Sequence, residues 1–243
     1  MNAFLFGLLA ASSLILGAAI ALVHPVRRST LGLIMAFGSG VLISAVAYDL
    51  VADAFATSGA VGIPLGLLAG ALAFFFGDLA LDRAGGTDRK SPTGGGEGSA
   101  RAIVLGTILD GLPESIVIGL SLISGEGVSV AVVVAVFLSN LPEAMAASTG
   151  LAAAGRPGSA IIRMWVLVAL ASAFASWVGF ALLADASAWT VAFVQSFAAG
   201  ALLTMLADTM MPEAFTDAGP VVGLATTLGF LVAFAIASWE HSS

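Results

Sequence analysis

Eight stretches of this chain run for about twenty residues or more with a predominantly apolar composition, which is the length a helix needs to cross a bilayer. They lie at roughly 3–23, 30–55, 62–83, 101–124, 127–153, 159–184, 188–215 and 219–240. Lipid offers the backbone no hydrogen bonds, so segments of this kind must satisfy their own and fold as helices. The expected fold class is therefore an all-α integral membrane protein with eight transmembrane helices. Composition agrees, because 59% of the 243 residues are apolar and 9% charged, against roughly a quarter charged in soluble domains. A globule of this size could not cover its exterior with so few polar groups. That excludes a cytosolic enzyme, a nucleic-acid binder and a disordered chain. The absence of cysteine excludes disulfides and thiolate metal sites, and a net charge of −7 leaves no basic surface for nucleic acid.

The breaks between spans carry turn and charge signals, such as His24-Pro25-Val26-Arg27-Arg28, Gly155-Arg156-Pro157-Gly158 and Asp217-Ala218-Gly219-Pro220. Only residues 84–100 form a long connection, Gly-rich and of flexible-linker composition. The rest of 1–243 reads as a single transmembrane domain. The first apolar run has no basic residues before it and two arginines after it, so it reads as a spanning helix and not as a cleaved leader. Arg27 and Arg28 fall between spans 1 and 2. Arg83, Arg89, Lys90 and Arg101 flank the linker, and Arg156 and Arg163 lie between spans 5 and 6. In an eight-span topology all of them share one face, which the positive-inside rule makes cytoplasmic. Both termini are then extracytoplasmic, in a cell (inner or plasma) membrane.

Seven acids fall inside these spans: Asp49, Asp53, Asp110, Glu114, Glu143, Asp208 and Glu213. No lysine or arginine lies well inside a span to pair with them. A carboxylate in a dry interior without a cationic side chain must be protonated or meet a bound cation. The pattern points to protons or metal ions and away from anions. Intramembrane acids are functional candidates for this reason.

Spacing sharpens the expectation. Asp110 and Glu114 stand one helical turn apart on one face, as do Ser139 and Glu143, with Asn140 three residues before Glu143. Asp110-Gly-Leu-Pro-Glu114 matches Asn140-Leu-Pro-Glu143 through Leu-Pro-Glu. Each proline removes a backbone donor and frees the carbonyl of Leu109 or Leu138, a possible oxygen ligand for a hard cation. A further match runs without gaps from Gly40–Phe55 to Gly200–Phe215, including Gly40/Gly200, Ser44/Thr204, Asp53/Glu213 and Phe55/Phe215. Spans 2 and 7 run in opposite directions in this topology, so the match predicts an inverted repeat. Asp49 and Asp53 then fall toward the outer face, and Asp208 and Glu213 toward the inner, as an entrance and an exit for a midplane cluster. Interface anchors are expected among Trp165, Trp177, Trp189 and Trp239. His24 and His241, at span ends, and the loop acids Glu126 and Asp185 are explained by solvation. Asp78 and Asp82 lie beside Arg83, where surface pairing explains them.

At these residues the chain resembles the ZIP (Zrt/Irt-like protein) family of divalent-metal transporters. The resemblance implies eight spans in an inverted 3+2+3 plan, both termini outside, and a variable loop between spans 3 and 4. Asp110-Gly111-Leu112-Pro113-Glu114 stands at the family's span 4 motif, and Ser139-Asn140-Leu141-Pro142-Glu143 at its span 5 motif. Asp49 and Asp53 stand where many members have His-x-x-x-Glu. The resemblance implies a transporter, not an enzyme, with no prosthetic group. Zn, Mn, Fe or a similar divalent cation would be its cargo, held by Asp110, Glu114, Ser139, Asn140 and Glu143. It further implies a homodimer embedded in lipid, with spans 4 and 5 sliding against a scaffold that contains spans 2 and 7. The departures are Asp110 and Gly111 for the motif's His-Asn, Ser139 at the head of the second motif, and only Ser172 and Ser176 as polar groups of span 6. An all-oxygen set suits Mg, Ca or Mn better than zinc. These departures motivate the alternative of a ZIP-fold member with altered substrate or a metal-sensing role without transport. A remote alternative is an intramembrane aspartyl protease, from Tyr48-Asp49 and Gly77-Asp78. Phe75 stands where that class has a glycine, and no Pro-Ala-Leu occurs.

Overall fold

A computed structural model describes residues 2–24, 26–58, 62–83, 97–123 and 129–240. Linker residues 84–96 with Arg89 and Lys90, the loop residue Glu126, Pro25 and His241 lie outside the described residues. Within those described, the chain is helical throughout apart from short connections. We label the rods α1 (Asn2–Val23), α2 (Arg28–Ala45), α3 (Ile63–Arg83), α4 (Glu97–Ser121), α5 (Val130–Ala153), α6 (Gly158–Leu183), α7 (Ala188–Met205) and α8 (Val222–Glu240). Both α4 and α5 run unbroken through their internal prolines, Pro113 and Pro142. Six stretches among the described residues are long and apolar enough to cross a membrane. The last, Ala188–Trp239, spans 52 residues, about 78 Å at 1.5 Å per residue, and so must fold back. It does so at Gly219.

Two of the rods change their winding midway. A π-helical stretch, Val46–Ala52, continues α2, and Asp53–Ser58 returns to α-helix. In α7 the same change occurs over Leu206–Met210, followed by Met211–Ala218. Val46 and Leu206 occupy matched positions in the gapless sequence match, so like sequences wind alike. Inserted π turns are rare and gather at functional sites.

The rods divide into two bundles. In the first, α1 packs against both α5 and α6, and α4 packs against α6; in the second, α3 packs on α7 and α8 on α2. The bundles meet chiefly where α5 crosses α2 and α4 crosses α7. Glycines set the closest approaches. A Cβ at Gly40 would strike the Thr226 carbonyl of α8, and one at Gly229 the Phe37 carbonyl of α2. The same reciprocal contact recurs on the other side, with Gly200 of α7 against the Leu67 carbonyl and Gly70 of α3 against that of Phe197. Small residues let backbones meet this closely, which is how helices associate in lipid.

These contacts also fix direction. Gly32 meets Ala214 and Ala218 while Ala54 meets Ala192, so α7 runs against α2. Gly38 faces Leu138 and Asp49 faces Ser129, so α5 does too. Gly62 beside Trp189 and Gly70 beside Phe197 set α3 alongside α7. Arg27, Arg28, Arg83 and Arg156 therefore share one end of the molecule, and Asp49 and Asp53 lie toward the other.

The exterior is as apolar as the interior. Leu167, Leu182 and Leu224 are 68%, 76% and 75% exposed, which a water-facing surface would not tolerate in such numbers and a lipid-facing one requires. The molecule is a multi-pass membrane protein. Of the four tryptophans, Trp165 is not an interface anchor: it is fully buried between α6 and α5, its Nε1 donating to Ser148 Oγ at 2.8 Å. Once an indole finds a hydroxyl partner, its burial adds apolar contact without an unsatisfied donor.

The reversal at Gly219 rests on backbone conformation alone. Its φ of 68° and ψ of −152° suit glycine almost exclusively. Nothing lies within 4 Å of where a Cβ would stand. Gly219→Ala is expected to destabilise the fold by about 1–3 kcal/mol, read as a lower midpoint of thermal unfolding in detergent.

Candidate functional site

The centre of the molecule holds polar groups that an apolar core cannot leave unanswered. Glu114 sits near the middle of α4 and is 2% exposed. One turn before it on the same face stands Asp110, at 9%. From α5, Ser139 donates its hydroxyl to Glu114 Oε1 at 2.7 Å, and also lies 3.0 Å from the Val136 carbonyl. The side chain of Asn140 and the charge of Asp110 act on the same carboxyl group. Glu114 Oε2 is buried and has no hydrogen-bond partner. Two segments 25 residues apart in sequence thus meet at one buried carboxyl group. Glu114, Asp110, Ser139 and Asn140 are brought together at this point.

Glu143 follows one turn after Ser139 on α5, half-buried, with Oε1 shielded from solvent. Among the described residues, no group of three or more His, Cys, Asp or Glu is close enough to hold one metal ion. The oxygens available at Glu114 therefore come from a hydroxyl and an amide as much as from carboxylates. The carbonyl of Leu138, which Pro142 frees, lies 3.1 Å from where a Cβ would stand on Gly38. It faces α2, at the seam between the two bundles.

Helix α6 supports the site from behind. Ser176 Oγ lies 3.0 Å from the Ser115 carbonyl, and Ser115 Oγ donates to the Gly111 carbonyl at 2.7 Å. Ser172 Oγ comes 3.9 Å from the Cβ position of Gly111. Ser176 thus touches the α4 backbone just after Pro113, where the helix has lost a hydrogen bond, and Ser172 lies near Gly111 just before it. The sequence offers them only as spare polar residues; their position is a tertiary fact.

The outer acids behave differently from one another. Asp49, half-buried in the π-helical stretch, accepts from Ser129 Oγ at 3.1 Å. Ser129 also caps α5, accepting from Val132 N at 3.2 Å. Asp49 therefore sits at the positive end of the α5 dipole, a favourable place for an anion. The capping serine is recognisable in sequence as the polar residue before an apolar run, but its partner is not. Asp53 is half-buried one turn beyond Asp49. On α7, Glu213 is half-buried, while Asp208 is exposed on the outside of the bundle, at the position matched with Tyr48. Tyr48 is exposed too and rests on Phe230 and Phe234. Asp208 is thus not gathered with Glu114.

Ser139→Ala removes the one hydroxyl bonded to the buried carboxyl. A typical intramolecular hydrogen bond contributes about 0.5–1.5 kcal/mol, so this variant is expected to lower the unfolding midpoint measurably. Ser139→Thr, which retains the oxygen, is expected to lower it less.

No protein-family model matches the chain, and no curated protein matches it in sequence.

Proposed function

We propose that this protein is a ZIP-like transporter of divalent metal cations of the Zn, Mn and Fe class, with Glu114 at the centre of its transport site. The observation that carries the reading is the buried Glu114 carboxylate, bonded by Ser139 and approached by Asn140 and Asp110, with one oxygen unpartnered. A buried anion surrounded by neutral oxygen donors and a second acid attracts a cation and repels an anion. Glu143 joins the shell from α5 as the cargo binds. Asp49 and Asp53 serve the entrance, and Asp208 and Glu213 the exit.

In this reading eight spans form an inverted 3+2+3 repeat. Two observations support it: the recurrence of the π-helical stretch in α2 and α7, and the twofold recurrence of the reciprocal glycine contact. Clustering of the described arginines at one end supports a cytoplasmic assignment for that end, with both termini outside and the 84–100 linker inside. Alternating access follows from movement of the α1, α4, α5, α6 bundle against the α2, α3, α7, α8 bundle. The protein works as a homodimer in a cell membrane, in contact with lipid, without nucleic acid or a prosthetic group.

One observation favours a second reading, a ZIP-fold member that senses metal or carries a different substrate. Among the described residues no three His, Cys, Asp or Glu side chains gather at one point. Uptake of Zn, Mn, Fe(II), Co, Cd, Mg and Ca into proteoliposomes separates the two. Saturable uptake of a divalent cation supports transport. Metal binding with no flux from correctly folded protein supports the second reading and sinks the first.

A further inference from the structure

A second polar group is buried in this molecule with no assigned role. Gln195 lies in α7, 6% exposed, and its Oε1 has no hydrogen-bond partner. An amide carbonyl left unbonded in an apolar interior is costly, and it is also a good neutral ligand for a hard divalent cation. Its surroundings follow from the helix on which it stands. Ala192, one turn before it, shares a small apolar cluster with Ala54 of the α2 rod, whose Asp53–Ser58 end packs on α7. Ala198 and Ala199, one turn after it, join Val46 and Leu50 of the same rod in one apolar cluster. Residues at these spacings share a face, so Gln195 faces the stretch from Leu50 to Ala54, the turn that contains Asp53. Asp49 stands one turn earlier on that rod, held at the α5 N-terminus by Ser129. The intervening winding is π-helical, which turns the residues after it relative to a regular helix.

We infer that Gln195 and Asp53, with Asp49 beside them, form a second divalent-cation subsite at the crossing of α2 and α7, separate from Glu114. The subsite takes its ion from the end of the molecule opposite the arginines. It exchanges hydration water for one neutral amide oxygen and carboxylate oxygens, and so binds weakly enough to release the ion onward. This inference rests on the transport reading for its purpose, but binding at the subsite can be measured without transport.

The test uses the full chain and Mn(II). Mn(II) binding in detergent is followed by electron paramagnetic resonance in a Glu114→Gln background, which removes the central carboxylate. Gln195→Met, similar in size but without the oxygen, is expected to weaken the remaining Mn(II) binding by about tenfold, within the range for loss of a supporting ligand. Gln195→Glu is expected to retain or tighten it. A packing role predicts the reverse ranking, because methionine suits an apolar site and a buried carboxylate does not. Unchanged Mn(II) binding in Gln195→Met overturns the subsite, as does weakening by Glu and Met alike. In proteoliposomes with Glu114 intact, Gln195→Met is expected to raise KM for Mn(II) with Vmax retained. Should the wild type move no ion while Mn(II) binding still depends on Gln195, the transport reading fails and the subsite stands.

Discussion

Proteoliposomes carrying Glu114→Gln are expected to lose divalent-cation uptake by a factor of at least about a hundred, while the protein unfolds no more easily than the wild type. The first half follows from charge. Removing one partner from a buried ionic interaction costs about 3–5 kcal/mol, which corresponds to roughly 10² to 4 × 10³ in affinity. The second half follows from burial. Glu114 is 2% exposed, and glutamine keeps its shape and an oxygen able to accept from Ser139 Oγ. Losing a charge from a dry interior removes a desolvation cost. Glu143→Gln is expected to act in the same direction, and more mildly, since Glu143 is only half-buried. Uptake by Glu114→Gln at the wild-type rate would sink the proposed site. A matched fall of uptake and unfolding midpoint would instead assign Glu114 to structure.

Gly40→Val is expected to lower thermal stability in detergent by about 3 kcal/mol or more, the upper end of overpacking penalties. The reason lies in what surrounds the missing Cβ: the Thr226 carbonyl, its carbon, and the Phe230 amide nitrogen. All three are backbone atoms of one helix, so no side chain can swing away to make room. Gly200→Val meets the Leu67 backbone in the matched place and is expected to cost as much. At Gly223, where nothing lies within 4 Å, valine is expected to stay within about 0.5 kcal/mol of wild type, as for surface substitutions generally. Equal effects at Gly40 and Gly223 would mean that helix propensity, and not the α2–α8 crossing, governs these glycines.

Much of the site was legible before any helix was placed. The spacing of Asp110 and Glu114, and of Ser139, Asn140 and Glu143, identified two faces rich in oxygen. The repeated Leu-Pro-Glu suggested that they belong together, and the Ser139–Glu114 bond joins them. Gln195 was not singled out in the sequence, where a lone amide in an apolar stretch marks no partner. Ser129 was visible as a helix cap but not as the donor to Asp49. Which of the four tryptophans sit at the membrane interface was not legible; Ser148, seventeen residues away, holds Trp165 inside.

The sequence by itself determined the membrane class, the helical rods, the end that carries the arginines, and the matched halves containing Gly40 and Gly200. Each of these follows from length, periodicity or spacing along one segment, because lipid forces every backbone group to be satisfied locally. Tertiary structure alone decided which way each rod is turned. Asp208 and Glu213 are five residues apart on one rod, yet one is exposed and the other half-buried. A π-helical winding shifts that rotation, and glycine contacts with a distant helix fix it. Neither depends on local sequence alone, because the rotation of a helix about its axis in lipid is set by what packs against it.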